Sequence, residues 1–176
     1  MVIILMGFSG SGKTYIGEYL KTLGFRKAVT QTTRTPRLGE VNHIDYHFKE
    51  SKEDFFATEL VEYAEYPKGS GKFYGLPVSE ISNIDEDVYC ILELSGAINV
   101  KKIIPEAKII FVNVDESALE TRMRERGDSE ESIKERLSNI YNSDEYKSSQ
   151  YADYILDNSG TIEETREILK NYLKEL

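Results

Sequence analysis

Eight residues close to the first methionine restrict the architecture of this chain more than any other stretch. Gly7-Phe8-Ser9-Gly10-Ser11-Gly12-Lys13-Thr14 has the spacing Gly-x4-Gly-Lys-Ser/Thr, with an apolar run over residues 2–6 before it and a helical pattern over 13–23 after it. Strand, glycine loop and helix in that order make a cradle for an anion. Glycines let successive N–H groups curl inward, and the helix adds the positive end of its dipole. Gly7, Ser9, Gly10, Ser11, Gly12, Lys13 and Thr14 are therefore expected to hold the phosphates of ATP. In that arrangement Lys13 reaches the β- and γ-phosphates and the Thr14 hydroxyl ligates Mg2+. Average residue frequencies give a chance match to this spacing odds on the order of one in a hundred for a chain of this length. GTPases, ATPase motors and small-molecule kinases all use such a loop, so it fixes the donor side and leaves the acceptor to be read elsewhere.

Short apolar runs at 2–6, 88–94, 108–114 and 154–156 alternate with helical patterns at 13–23, 97–104, 117–126, 130–141 and 162–173. This alternation predicts an α/β fold, a P-loop NTPase-type parallel sheet with helices on both faces. Residues 30–75 break the rhythm with Pro36, Gly39, the alternating Ile44-Asp45-Tyr46-His47-Phe48 and a second strand-like run over 60–66, the pattern of a small inserted mixed subdomain.

Bulk properties narrow the partners. The chain is 40% hydrophobic and 30% charged and has no apolar run long enough to cross a bilayer, so no membrane partner is expected. A formal net charge of −9 argues against a general nucleic-acid binder and leaves anion binding to local clusters at Lys13, around Arg34 and Arg37, and along 122–136. The apolar run after Met1 lacks the basic start, long apolar stretch and cleavage site of a secretory signal, so the expected location is the cytoplasm. Cys90 lies in an apolar run, as a buried structural thiol does. His43 and His47 have no cysteine or carboxylate at zinc-ligand spacing, so no transition metal is assigned.

The acceptor side is carried by Thr30-Gln31-Thr32-Thr33-Arg34-Thr35-Pro36-Arg37-Leu38-Gly39-Glu40 and the following Asp45-Tyr46-His47-Phe48. Two arginines three residues apart in a loop punctuated by proline and glycine can converge on one phosphate, each offering a planar fork of donors. This run closely resembles the TTR-x-PR-x-GE…DY-x-F signature of guanylate kinases, and the resemblance extends over nearly the whole chain. It implies that Arg34 and Arg37 hold the monophosphate of GMP or dGMP, that Tyr46 donates its hydroxyl to the same group, and that Thr30 and Glu40 support the site. Val61-Glu62-Tyr63-Ala64 looks like the family segment whose glutamate accepts from guanine N1 and N2, and Phe73-Tyr74-Gly75 looks like its YYG, with the Tyr74 hydroxyl on the monophosphate. Residues 119–127 and 132–137 resemble the arginine-rich lid, which puts Arg122, Arg126 and Arg136 over the phosphates. Asn158 falls near the adenine edge. Glu93, after the apolar run 88–92, stands where an acid contacts Mg2+ or its water shell, and it also borders the GMP site.

On this resemblance the chain is one domain over 1–176, with a core of 1–29, 77–120 and 137–176, a nucleotide-monophosphate-binding insert of 30–76 and a lid of 121–136. The implied cofactor is Mg2+ with ATP as co-substrate, and the implied assembly is a monomer or homodimer. Several positions depart from the family. Leu76 stands where it has serine or threonine to meet the base, and the segment between Glu62 and Gly75 is longer, carrying Pro67-Lys68-Gly69-Ser70-Gly71-Lys72. The family's ILDIDxxG is shortened by two residues to Ile91-Leu92-Glu93-Leu94-Ser95-Gly96, so its second acid has no clear counterpart. Phe8 replaces the usual loop proline. Two other readings stay open at this point: a related kinase with another nucleotide or a ribose phosphate as acceptor, and a non-catalytic guanylate-kinase-like interaction module.

Overall fold

The structure, a computed structural model, describes every residue except 9, 66, 67, 84, 126 and 143–146, with the backbone alone at 135, 136 and 139–142. Strand β1 (Val2–Gly7) is apolar on both faces because it is the middle of a parallel sheet. Its neighbours are β7 (Val88–Ile91) and β8 (Lys108–Asn113), flanked in turn by β2 (Arg26–Lys27) and β9 (Tyr154–Asp157), giving the order β2-β7-β1-β8-β9. All pairings run parallel.

Alternation along the strands divides the core into two layers. Ile3 and Leu5 face Ile16 and Leu20 of α1 (Lys13–Thr22) and Leu169 of α6 (Ile162–Lys174). Ile4 and Met6 face the other side, against α3 (Leu94–Ile103), α4 (Glu116–Glu125) and α5 (Glu130–Asn142), with Val100, Met123 and Ile133 from those helices. Cys90 is buried in this second layer, where burial and the nearby charge of Glu62 push its thiol up, so it stays protonated.

Residues 30–77 form a second, four-stranded sheet in the order β4-β3-β6-β5: β3 (Gln31–Thr32), β4 (His47–Phe48), β5 (Leu60–Glu65) and β6 (Phe73–Pro77). Between β4 and β5 lies α2 (Lys52–Phe56), capped by the Ser51 hydroxyl accepting from the Asp54 N–H at 3.0 Å. The insert is tied to the edge of the main sheet by a chain of polar contacts. His43 Nδ1 meets His47 Nδ1 at 2.8 Å, His47 Nε2 meets Glu80 Oε1 at 2.8 Å, and Arg26 of β2 donates to Glu80 Oε2 at 2.7 Å. Burial alone would raise the Glu80 carboxyl, but the Val29 N–H, His47 and Arg26 together hold it below its ordinary value. Thus the histidines serve as a brace. Among the described residues no group of three or more His, Cys, Asp or Glu side chains could hold a metal ion, and no helix is long and apolar enough to cross a membrane.

Candidate active site

β1 ends at the glycine loop, and Gly12 opens α1 with φ of 97°, a conformation that suits glycine. Its missing side chain matters as well, because a Cβ there would collide with Nδ2 of Asn158. Asn158 is buried, and its amide donates to the Ser11 carbonyl at 2.7 Å while its Oδ1 accepts from Thr165 Oγ at 3.0 Å. The same residue's carbonyl accepts from Arg122 Nη2 at 2.6 Å. Expected at the adenine edge, Asn158 instead spends its side chain on the back of the phosphate loop. Asn158→Ala should therefore raise the KM for ATP about tenfold and cost about 1–3 kcal/mol of stability, with the acceptor KM little changed. Steady-state kinetics with each substrate varied, together with a thermal melt, checks both effects.

Lys13 folds over the mouth of the loop and donates to the carbonyls of Gly7 at 2.6 Å and Phe8 at 2.7 Å. The Thr14 side chain is exposed at the first turn of α1 and forms no hydrogen bond with any described residue. Ser11 is fully buried and its hydroxyl has no partner among the described residues. Ser9 and Arg126, both expected at the phosphates, lie outside the described residues, as does the side chain of Arg136.

A cleft of about 720 Å³ opens beside the phosphate loop, with walls that include Lys13, Thr30, Tyr46, Glu62, Tyr74 and Glu93; Arg34 of the arginine loop packs against Tyr46, but neither Arg34 nor Arg37 is itself part of the walls. Arg34 is buried and grips Glu40 bidentately, Nη1 to Oε2 at 2.9 Å and Nη2 to Oε1 at 2.8 Å, while a second Nη1–H goes to the Thr35 carbonyl at 2.7 Å. Hydrogen bonds from Arg34 and from the Arg37 N–H hold the Glu40 carboxyl below its usual range. The guanidinium lies 5.3 Å from the Tyr46 ring centre and 5.7 Å from that of Phe48, and Tyr74 packs edge-on to Tyr46 at 6.1 Å. Arg34 is thus fixed in place by Glu40 with donors to spare. Arg37 stays exposed and its guanidinium has no hydrogen-bond partner among the described residues. One arginine is pre-set and the other is free to swing.

Glu62 sits on β5, opposite Leu76 of β6. Burial, and then the negative charge of Glu93, push its carboxyl above the usual carboxylate range. It makes no hydrogen bond or ion pair with any described residue, so it is a desolvated acceptor facing a cleft. The sequence pattern puts Glu93 at the end of a strand, with the next helix beginning at 97. Instead β7 stops at Ile91 and α3 starts at Leu94, which makes Glu93 the N-cap, exposed at the cleft rim. The shortened connection pulls the helix start forward.

Arg122 and Arg124 of α4 differ in role. Arg124 pairs with Glu120 at 3.1 Å and with Glu130 of α5 at 2.7 Å, which makes it a surface tie between the two helices. Arg122 turns inward toward the Asn158 carbonyl beside the phosphate loop. Of the wall residues that sequence reasoning did not assign to the site, two carry a polar side chain, Ser95 and Ser148. Only the break in the family pattern after Glu93 could have drawn attention to the first. A second hollow of about 590 Å³ runs along α6 and contains none of the phosphate-loop or arginine-loop side chains.

Comparison with known proteins agrees with this geometry. The family profile described as Guanylate kinase matches residues 1–176. A guanylate kinase of Prochlorococcus marinus subsp. pastoris is 34% identical over 176 residues, covering 96% of this chain and 95% of that protein. One from Streptococcus thermophilus is 37% identical over 149 residues, covering 78% and 69%. Among solved structures, a guanylate kinase from Anaplasma phagocytophilum superposes with a TM-score of 0.66 at 26% identity, covering 99% of this chain and 85% of that one. A shikimate kinase from Bacteroides thetaiotaomicron shares the fold alone, with a TM-score of 0.55 at 15% identity and coverage of 99% and 98%.

Proposed function

Because the chain belongs to the guanylate kinase family, we propose that it transfers the γ-phosphoryl of ATP to GMP or dGMP, giving ADP and GDP or dGDP. The observation that carries this reading is the single cleft in which the phosphate loop with Lys13 faces Tyr46, Tyr74 and the unpaired acceptor Glu62. Donor and acceptor are then held by one set of walls, which converts a bimolecular encounter into a positioned one.

In the proposed reaction an acceptor phosphate oxygen attacks the γ-phosphorus in line, the bond to the β–γ bridging oxygen breaks, and the electron pair leaves with ADP. Lys13 swings from its loop carbonyls to the β- and γ-oxygens, where charge spreads during transfer. Arg34 and Arg37 hold the acceptor phosphate with the hydroxyls of Tyr46 and Tyr74, and Thr30 closes the wall between the two pockets. Arg122, Arg126 and Arg136 are proposed to close over the phosphates as part of a lid at 121–136, excluding water that would otherwise take the phosphoryl group. The free Thr14 hydroxyl and exposed Glu93 suit Mg2+, which keeps most of its waters and the nucleotide's oxygens and needs few protein ligands. Bound there, it would neutralise phosphate charge. The assembly proposed is a monomer or a homodimer. The proposed location is the cytoplasm, where ATP and guanine nucleotides are used.

ATP consumption against GMP, dGMP, AMP, CMP, UMP and ribose phosphates tests the reading. GMP or dGMP should be the best acceptor; turnover with ribose phosphate alone, or with none, would overturn it. Arg34→Ala should raise the acceptor KM by roughly ten- to a hundredfold through loss of charge-assisted bonds to the phosphate. In that variant the KM for ATP should hold, and an unchanged acceptor KM would contradict the role given to Arg34.

A further inference from the structure

We propose that His43 and His47 form a proton-operated latch that positions Tyr46 in the acceptor pocket and releases it when both imidazoles are charged, an inference that rests on the guanylate kinase reading. Tyr46 stands in the cleft wall, at the end of a tight turn over 41–46. The turn is closed by the His43 N–H, which donates to the Tyr46 carbonyl at 2.8 Å, and by the Val41 N–H, which donates to Asp45 Oδ2 at 2.7 Å. Its apex is strained. His43 has φ of 67°, and every other described residue with a positive φ is a glycine. A contact outside the turn must therefore hold it. The His43 side chain supplies one, Nδ1 to Nδ1 of His47 at 2.8 Å, one residue beyond Tyr46.

Two facing Nδ1 atoms need a donor and an acceptor, so they share one proton. On its far side His47 Nε2 meets Glu80 Oε1 at 2.8 Å. Burial works against the Glu80 charge, but the Val29 N–H, His47 and Arg26 outweigh it and keep the carboxylate ionised. His47 Nε2 is thus a donor, its Nδ1 accepts, and His43 gives the shared proton. One added proton leaves this bond intact, because one ring can still accept at Nδ1. With two imidazoliums N–H meets N–H and like charges face each other, so the rings must part. Among the described residues, the charged groups bonded to the latch or directly behind it are Glu80, then Arg26 of β2 and Glu86, with Asp45 inside the turn and Arg34 behind Tyr46. Glu80 favours charge on His47, which leaves exposed His43 to take the proton that breaks the latch. Histidine changes charge between about pH 5 and 8, so opening falls in weak acid. Once open, the turn no longer pre-sets Tyr46, and acceptor affinity drops with the fraction of chains still latched.

The chain has two histidines, so nitrogen NMR of the imidazoles in the full chain reads the latch directly. Near pH 8, at about the upper end of the histidine range, one ring should carry its proton on Nδ1 and the other on Nε2. Two rings protonated on Nε2 would refute the latch. The KM for GMP gives a second readout. His43→Gly, which suits the backbone there, should raise it about fivefold near pH 8, the worth of one neutral hydrogen bond, with kcat and the KM for ATP within about twofold. Near pH 5.5 variant and wild type should agree within about 1.5-fold, because the wild-type latch is then open as well. Glu62 and the GMP phosphate titrate alike in both chains and drop out of the ratio. His43→Asn tolerates the same backbone and puts a donor that does not titrate where Nδ1 stood. It should restore the wild-type KM near pH 8 and stay below the wild type near about pH 5.5. A ratio of His43→Gly to wild type that is constant with pH would overturn the proposal. If GMP is not turned over, the kinase reading and the positioning role fall together while the NMR still reads the shared proton; if GMP is turned over and either readout fails, the latch alone falls.

Discussion

Lys13→Ala is expected to lower kcat by about a thousandfold or more, since it removes the cation proposed to reach the oxygens that gain charge in the transition state. The ammonium now bridges the Gly7 and Phe8 carbonyls from the open side of the loop, so it has only to turn outward to meet a nucleotide. Lys13→Arg should rescue little, because a planar fork does not fit a cradle shaped for a compact point charge. Circular dichroism should show an intact fold in both variants, since α1 and β1 are held by Ile3, Leu5, Ile16 and Leu20 in the core. Single-turnover assays with GMP and ATP check the size of the loss, and retention of more than about a tenth of the wild-type rate would remove Lys13 from the chemistry.

Glu62→Gln is expected to reduce kcat/KM for GMP by about a hundredfold, because an amide offers one acceptor where the base presents paired donors, and its own NH2 opposes them. The pH dependence follows from the raised carboxyl. Only the ionised form accepts from the base, so the wild-type KM for GMP should climb as pH falls through the raised Glu62 pKa. The Gln variant should lack that limb. Stability moves oppositely. A carboxyl whose folded pKa is raised destabilises the fold while ionised, and this cost is relieved as pH falls from the raised folded pKa toward the ordinary unfolded one. At neutral pH Glu62→Gln should therefore melt slightly higher than the wild type even as it loses GMP. A variant that melts lower and keeps the acid limb would show that Glu62 is not the desolvated acceptor described.

The features legible in the sequence were those written locally. The phosphate loop is eight consecutive residues, and four of the five strands of the main sheet are short apolar runs; the fifth, β2, is the charged pair Arg26–Lys27 and carries no such signal. The insert was legible as an interruption but not as a sheet. Phe73–Pro77 carries a glycine and a proline and shows no alternation, so its place between β3 and β5 is decided by partners distant in sequence. For the same reason the brace from His43 through His47 and Glu80 to Arg26 could not be read, since its members come from three separate segments. The start of α3 was misplaced by three residues because Leu92 and Leu94 continue an apolar run that a strand or a buried helix can equally produce. That shift turns Glu93 into a helix cap and brings Ser95 to the cleft. The bonds of the Asn158 side chain to Ser11 and Thr165 could not be read either, since those partners lie on two other elements.

The account depends on both phosphate pockets opening into one cleft. Calorimetric titration with adenosine and guanosine joined 5′ to 5′ through five phosphates measures this directly, because a single molecule can then fill both pockets. Linkage makes the second contact intramolecular, so binding at least about a hundredfold tighter than ATP or GMP alone is expected, with one molecule per chain. Binding no tighter than the better single nucleotide would mean that the two pockets do not face each other.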